Sequence, residues 1–224
     1  MTDNDLYVAC IDLRGLGCLV VGAGPVGTEK VEGLLTSGAV VHVVAPEATN
    51  RIGELASSGV ISWSRREYRA ADLNGCMLVI AATSTPSVNE AVHADATRHS
   101  MLVNVADVPH LCNLMLPAIA REGPIAVAIS TAGASPALAQ RMKREAANMF
   151  GAAYAELATI LEALRPWAKA TLPTYADRKA FFDSIVDGDP DPITLLRTGQ
   201  HKDLDDLIAG AREAALERAF RAAI

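Results

Sequence analysis

The chain has 224 residues and a formal net charge of −6; half of its residues are hydrophobic, but only 4% are aromatic. This length is enough for one large domain or two small ones with a sizeable core. The acidic balance argues against general binding to nucleic acid, so an anionic substrate would have to meet a local basic patch. The abundance of alanine and valine suits strands covered by helices.

The N-terminal stretch, the apolar runs and the cysteines indicate where in the cell the protein is expected. The N-terminal stretch MTDNDLYVACIDL lacks the charged-then-apolar pattern of a signal peptide. No apolar run reaches the roughly 20 residues that a membrane span needs. The cysteines are scattered without a C-x-x-C pair, which is typical of reduced thiols rather than a disulfide frame or metal cluster. We expect a soluble, cytoplasmic protein without a metal site.

Short apolar runs alternate with amphipathic stretches over the first 130 residues. Strands are predicted at 18–22, 40–45, 61–64, 76–83, 101–107 and 125–130, and helices at 25–37, 48–58 and 86–99. The strands are almost continuously apolar, a pattern typical of parallel strands buried on both faces. This alternation predicts an α/β fold with a Rossmann-like, doubly wound parallel sheet.

Beyond residue 130 the sequence becomes mostly helix-forming. Ser135 is a predicted N-cap and Pro136 takes the first helical position. The turn-rich segment VDGDPDP precedes a final predicted helix at about 202–222. A helical region therefore follows the Rossmann-like half.

The first predicted strand runs into the loop Gly22-Ala23-Gly24-Pro25-Val26-Gly27. In such a loop Gly22 permits the tight turn, Gly24 lets a pyrophosphate approach the backbone, and Gly27 permits close packing of helix on strand. The helix that begins near Pro25 directs free N–H groups and a partial positive charge at the phosphate. The strand–loop–helix context favours dinucleotide binding over a glycine turn without a ligand.

The second predicted strand ends without the expected acidic residue. A ribose-binding carboxylate is expected about 20 residues after the glycines, and Glu47, one step beyond Pro46, is the only candidate. A 2′-phosphate would find no arginine before Arg51. The pattern therefore favours NAD over NADP, with the ribose held by Glu47 or by backbone groups around Pro46.

Four segments of the chain, taken together, are more specific than the glycine loop alone. They read VGAGPVGTEKVEGLLTSGAVVHVVAP, DLNGCMLVIAATSTPSVNEAV, VNVADVPHLCNLMLPA and GPIAVAISTAGASPALAQRMKRE, with a fainter match at YADRKAFFDSI. Their content, order and spacing resemble the precorrin-2 dehydrogenase family, the dehydrogenase and chelatase part of siroheme synthase. The resemblance covers almost the whole chain.

The resemblance implies an NAD-dependent oxidation of precorrin-2 to sirohydrochlorin, a tetrapyrrole substrate and a homodimer. It also implies three parts: an NAD-binding Rossmann-like domain (1–113), a dimerisation segment (114–150) and a helical C-terminal domain (151–224). Some members of the family also insert iron or cobalt. Thr83 lies where the family often has ATDD after the fourth strand, and the resemblance makes it a candidate cofactor contact.

Asp107 ends the predicted strand VNVAD, and ligands of open α/β sheets lie beyond the carboxyl ends of the strands. A carboxylate placed there can accept the proton that leaves the macrocycle during dehydrogenation. An aspartate just before Pro109 can also simply start a turn, but the resemblance assigns the catalytic role to Asp107. His110 is the first alternative proton shuttle, although a surface-loop histidine is the favoured interpretation.

Other polar residues are candidates for binding a substrate that carries many acidic groups. Ser130 and Thr131 lie in STAGASP, a loop at a strand end that leads into a helix N-terminus, and Lys143 follows on that helix. Asn104 matches a family position, although a turn or cap hydrogen bond would also explain it. The basic cluster near the third strand is interpreted as a solvated face; it comprises Arg65, Arg66 and Arg69.

Two rival functions remain open. One is a bifunctional dehydrogenase and ferrochelatase. The other is a non-enzymatic NAD-sensing module of a transport regulator, which would also carry a glycine fingerprint. The second rival predicts an acidic end to the second strand and gives no reason for VNVAD or STAGASP.

Overall fold

A computed structural model describes residues 6–222; residues 1–5 of the N-terminal stretch and 223–224 of the predicted C-terminal domain lie outside the described residues. The chain divides into two compact units, the first ending at Leu116 and the second beginning at Pro117. Among the described residues, no helix is long and apolar enough to cross a membrane.

The first unit is a five-stranded parallel sheet in the order β3-β2-β1-β4-β5. The strands are β1 (Gly17–Ala23), β2 (Val40–Ala48), β3 (Ser62–Ser64), β4 (Cys76–Ala81) and β5 (Leu102–Val105). The helices are α1 (Pro25–Thr36), α2 (Asn50–Ser57) and α3 (Pro86–Arg98). The predicted Rossmann-like α/β fold is confirmed.

Both faces of this sheet are buried, which explains the continuous apolar runs. Cys18 and Val20 of β1 face α1 and α2 in one apolar cluster, whereas Leu19 and Val21 face α3 in another. Successive side chains of a strand point to opposite faces, so helices on both sides require apolar residues at every position.

The second unit begins with a two-stranded antiparallel sheet, β6 (Ala118–Glu122) and β7 (Ile125–Ile129). The prediction that 125–130 forms another parallel strand is therefore wrong. The two strands are joined by the tight turn Gly123-Pro124. A direct turn of this kind can join only antiparallel neighbours, since a parallel pair needs a long crossover.

The remainder of the second unit is helical. It comprises α4 (Pro136–Met149), α5 (Ala152–Thr171), α6 (Tyr175–Val186), α7 (Pro192–Arg197) and α8 (His201–Ala222). The hydroxyl of Ser135 accepts the N–H of Leu138 at 3.2 Å, and Pro136 opens α4, as predicted. Phe181, Leu172 and Ile185 are fully buried in a separate apolar core.

Candidate active site

The glycine loop links β1 to α1 at the carboxyl edge of the sheet. Gly22 has φ +102°, and a Cβ at this position would lie 2.4 Å from the carbonyl oxygen of Ala82. A Cβ on Gly27 would lie 2.1 Å from the carbonyl oxygen of Gly22, so the start of α1 packs directly on the loop. A side chain at either position would displace the backbone.

Gly24 differs from these two glycines because it faces open space. A Cβ on Gly24 would meet no atom within 4 Å, and the residue is the N-cap of α1 without a side-chain cap. Pro25 and Val26 are exposed, and the first turn of a helix has N–H groups without intrahelical partners. The loop therefore offers an uncovered backbone surface and a helix N-terminus, which fit a pyrophosphate.

The end of β2 bulges away from β1 at the predicted ribose position. Val21 pairs with Val44 and Ala23 with Ala48, so three residues of β2, 45–47, lie opposite Gly22 alone. Pro46 and Glu47 are exposed in this bulge. The indole N–H of Trp63 donates to the carbonyl of Ala45 at 3.0 Å and fixes the bulge.

Thr83 lies beside the glycine loop, with its methyl group 3.1 Å from the position of a Cβ on Gly22. Its hydroxyl donates to the side-chain oxygen of Asn89 at 3.0 Å and accepts the N–H of Thr85 at 3.1 Å. Asn89, which is buried, in turn donates to the carbonyl of Thr83. These bonds order the loop after β4 and engage the Thr83 hydroxyl.

Asp107 lies just past β5 at the same edge of the sheet. The residue is exposed and has φ +61°, a left-handed conformation in a non-glycine residue. Its carboxylate forms no hydrogen bond or ion pair with residues 6–222. His110, the alternative proton shuttle, is also exposed, in a short 3-10 turn at Pro109–Leu111.

Asn104 is 9% exposed and supports the chain beside β5. Its side-chain N–H donates to the carbonyl of Leu114 at 2.9 Å. Asn113 adds two hydrogen bonds. Its side-chain oxygen accepts the N–H of Val103 at 2.7 Å, and its side-chain N–H donates to the carbonyl of Met101 at 2.8 Å. Because β5 is an edge strand, these contacts cover backbone groups that would otherwise be unpaired.

The second unit holds the other candidate substrate contacts. The hydroxyl of Ser130 accepts the N–H of Ala132, and that of Thr131 accepts the N–H of Ser135 at 3.2 Å. Ala132 and Gly133 both have positive φ, so this loop turns sharply before α4. Lys143 is half-buried on α4.

Three family models match successive parts of the chain. A model described as putative NAD(P)-binding matches residues 9–118, which include the glycine loop and Asp107. A model of the sirohaem biosynthesis protein central region matches 122–149, and a model of the sirohaem synthase dimerisation region matches 153–211.

Siroheme synthases from several organisms agree with these models. The siroheme synthases of Nitrosococcus oceani and Methylococcus capsulatus are 35% and 36% identical over 210 and 205 residues, which cover 94% and 92% of this chain. That of Pseudomonas entomophila is 38% identical over 176 residues, 79% of the chain. The chain belongs to the precorrin-2 dehydrogenase and siroheme synthase family.

The match in length differs between the relatives. The aligned regions span only 44%, 43% and 38% of those three siroheme synthases, so the chain corresponds to less than half of each. A solved structure named SirC, precorrin-2 dehydrogenase, is matched over 93% of this chain and 100% of its own length. Its TM-score is 0.76 and its sequence identity is 25%.

Near β3 the carboxylate of Asp72 is paired, in contrast to that of Asp107. Arg66 donates to both carboxylate oxygens of Asp72, at 2.9 and 2.6 Å, and the backbone N–H of Arg69 donates to Asp72 at 2.9 Å. These bonds hold the pKa of Asp72 below its usual value. Arg66 is therefore part of an ion pair rather than of the solvated face that the sequence suggested.

Burial is the main cause of the pKa shifts of three other groups in the first unit, His42, Tyr68 and Cys18. Burial lowers the pKa of His42, whose ring nitrogens contact the hydroxyls of Ser62 and Ser64, and raises the pKa of Tyr68, which donates to Asp95. Burial raises the pKa of Cys18 to about 11. Among the described residues, no group of three or more His, Cys, Asp or Glu side chains is placed to hold a metal ion.

Sequence reasoning missed the residues that support the two site loops. Trp63 holds the bulge at 45–47, and Cys112 contacts both sides of Asp107. Both residues stand inside short motifs, but no local spacing rule connects an indole with a carbonyl 18 residues away. Only the pairing of β2 with β3 brings Trp63 to Ala45.

Proposed function

We propose that the chain catalyses the NAD-dependent oxidation of precorrin-2 to sirohydrochlorin. The observation that carries the proposal is the juxtaposition, at one edge of one sheet, of an uncovered glycine loop and a carboxylate that has no partner among residues 6–222. β1 and β5 are separated only by β4, so the ends of the two strands from which the loops leave lie about 10 Å apart, two strand spacings. The name of the SirC structure and the siroheme synthase relatives support this reaction class.

The residues of the loop fit the cofactor NAD. The backbone of Gly22, Gly24 and Gly27, with the first turn of α1 at Pro25 and Val26, would hold the pyrophosphate. When bound, NAD supplies a nicotinamide ring that accepts a hydride. Thr83 would border the cofactor next to Gly22.

The bulge at the end of β2 would hold the adenosine ribose through Glu47 or the backbone at Pro46. Arg51, the nearest cation for a 2′-phosphate, is paired with Glu32 at 3.0 Å and with Glu54 at 3.5 Å. The exposed carboxylate of Glu47, together with an Arg51 that is already paired, favours NAD over NADP.

Asp107 would act as the general base. Oxidation would remove one hydride, for which NAD would be the acceptor, and one proton, which the Asp107 carboxylate would take; together these account for two protons and two electrons. The exposed position of Asp107 leaves its oxygens accessible to a large substrate.

Each unit, taken by itself, holds candidate substrate contacts. The hydroxyls of Ser130 and Thr131 and the ammonium group of Lys143 suit the acidic side chains of a tetrapyrrole. The side-chain NH₂ of Asn104 donates to the carbonyl of Leu114 and to the sulfur of Cys112, so its contact would use the side-chain oxygen as an acceptor for a pyrrole N–H.

We also propose a homodimer located in the cytoplasm, with the domain division 1–113, 114–150 and 151–224. A dimerisation-region model that matches 153–211 supports the homodimer, and four free cysteines are consistent with a reducing compartment. Analytical ultracentrifugation of the full chain tests the homodimer, which a monomer at micromolar concentration would contradict.

Insertion of iron or cobalt into sirohydrochlorin is the second candidate activity. The relatives named siroheme synthase favour it, and an exposed carboxylate can also take pyrrole protons as a metal enters. The metal would be a substrate, so no resident metal site is needed.

The test is to generate precorrin-2 in situ, add the protein with NAD, and follow the absorbance of sirohydrochlorin. A second reaction starts from sirohydrochlorin with iron or cobalt. Absence of oxidation by the wild-type protein would overturn the main proposal, and NAD binding without oxidation would favour the sensing module. Metal insertion above the uncatalysed rate would add the second activity.

A further inference from the structure

The Asp107 loop, residues 106–112, has a conformation that the carboxylate itself does nothing to maintain. Asp107 has φ +61°, a backbone region that an L residue occupies when its surroundings hold it there. Its side chain forms no bond with the described residues. The loop must therefore be fixed by other groups.

The thiol of Cys112 contacts the residues on both sides of Ala106-Asp107. Its sulfur accepts the backbone N–H of Val105 at 3.1 Å. The S–H lies within donor distance of two carbonyls, that of Val105 at 3.3 Å and that of Val108 at 3.4 Å. One side chain thus ties the end of β5 to the residue that follows Asp107.

A second anchor comes from α3. The ring Nδ1 of His93, in the tautomer that carries its proton there, donates to the carbonyl of Leu111 at 2.9 Å. α3 packs on the same sheet, so this bond fixes the far end of the loop to a rigid element. The loop is therefore held from β5 by Cys112 and from α3 by His93.

We propose that Cys112 is a positioning residue for Asp107, with His93 as its second anchor. The inference rests on the proposed function, since it assigns Asp107 the role of proton acceptor. The thiol acts as a hydrogen-bond donor and acceptor and takes no part in the chemistry. A displacement of about 1 Å at a catalytic group can cost on the order of 100-fold in rate, so loss of the anchor should reduce turnover.

The experiment is a double-mutant cycle in the full chain with precorrin-2 and NAD. Cys112→Ala should lower kcat by about 10- to 50-fold and leave the KM for NAD within about 2-fold of the wild-type value. In an Asp107→Asn background the same change should cost less than about 2-fold, because the group it positions is already lost. Cys112→Ser, which keeps a donor and an acceptor, should restore kcat to within about 3-fold.

The matched control is Cys76→Ala. Cys76 is also half-buried, but it lies at the amino end of β4, and its thiol makes one long contact, 3.6 Å, to the carbonyl of Asp72. This variant should keep kcat unchanged. Equal losses of kcat in the two alanine variants, or an undiminished loss from Cys112→Ala in the Asp107→Asn background, would show that Cys112 is only structural and would overturn the inference.

Variants of His93, the second anchor, keep the inference testable if the Cys112 variant cannot be studied. If Cys112→Ala does not fold, His93→Leu should lower kcat about 3- to 10-fold, and His93→Asn, which keeps an N–H donor, should restore it. Failure of His93→Leu to lower kcat would count against the inference.

Amide hydrogen exchange at Val105 separates this inference from the proposed function. Exchange should accelerate in Cys112→Ala and not in Cys76→Ala, whatever the enzyme's activity. Accelerated exchange in a protein that does not oxidise precorrin-2 would overturn the proposed function alone. Unchanged exchange would overturn the positioning role of Cys112.

Discussion

Asp107 and Asp72 are carboxylates of the same unit in opposite environments. Asp72 is nearly buried, with 7% of its side chain exposed, and accepts three N–H groups from Arg66 and Arg69. Asp107 is exposed, has a left-handed backbone and makes no bond within the described residues. A carboxylate whose oxygens are all engaged stabilises the fold, whereas one that other groups hold open is available for chemistry. Substitutions at the two positions should therefore affect different properties.

The largest expected effect is on catalysis at Asp107. Asp107→Asn should lower kcat for precorrin-2 oxidation by about 100- to 1000-fold, because an amide cannot accept the proton. Asparagine tolerates the left-handed conformation, so the free energy of unfolding should change by less than about 0.5 kcal/mol. Single-turnover absorbance and urea denaturation measure the two quantities. A variant that loses stability but keeps kcat would reverse the assignment.

The contrast between these aspartates also shows the limits of sequence reading. The parallel sheet and α1 to α3 could be predicted because continuous apolar runs and glycine positions report local backbone requirements. The antiparallel β6–β7 pair could not, because Ile125–Ile129 has the same apolar composition as a parallel strand. The position of Asp107 at a strand end was predictable. Its anchoring by Cys112 was not, since it depends on the folded path of the loop.

The glycine loop contains a similar contrast between a residue that supports the fold, Gly22, and a residue that faces open space, Gly24. The expected effects of substitution are smaller than that at Asp107. Gly22→Ala should lower the free energy of unfolding by about 2–3 kcal/mol, because the residue has positive φ and its Cβ would collide with the Ala82 carbonyl. Gly24 has φ −73°, and a methyl group added there would meet no atom within 4 Å. The fold should therefore tolerate Gly24→Ala.

The ligand measurement completes this pair of variants. The methyl group of Gly24→Ala would occupy the space that a pyrophosphate needs, so the affinity for NAD should fall about 10-fold, or about 1.4 kcal/mol. Isothermal titration calorimetry with NAD measures it, alongside thermal unfolding of both variants. Unchanged NAD affinity in a folded Gly24→Ala variant would place the cofactor elsewhere.

Asp72→Asn has a smaller predicted effect on stability than Gly22→Ala. Asp72→Asn should lower the free energy of unfolding by about 1.5 kcal/mol at pH 7, at the low end for bonds to charged groups because a third of Arg66 is exposed. The kcat of the folded variant should not change, in contrast to Asp107→Asn. Glu54→Gln, which breaks an exposed pair with Arg51, is the matched control and should leave the urea midpoint unchanged.

The pH dependence gives the sign of this effect. The pKa of Asp72 is lower in the folded protein than in the unfolded chain, because Arg66 and Arg69 bond to the ionised form. The stabilisation is therefore complete above the unfolded value of about 3.9 and is lost as the pH falls through the folded value. Urea midpoints of wild type and Asp72→Asn should differ equally at pH 7 and pH 5 and converge below about pH 4. Trp63 fluorescence in a Trp167→Phe background reports this unit alone, since the chain has two tryptophans. A difference that grows on acidification would mean that the pair destabilises the fold.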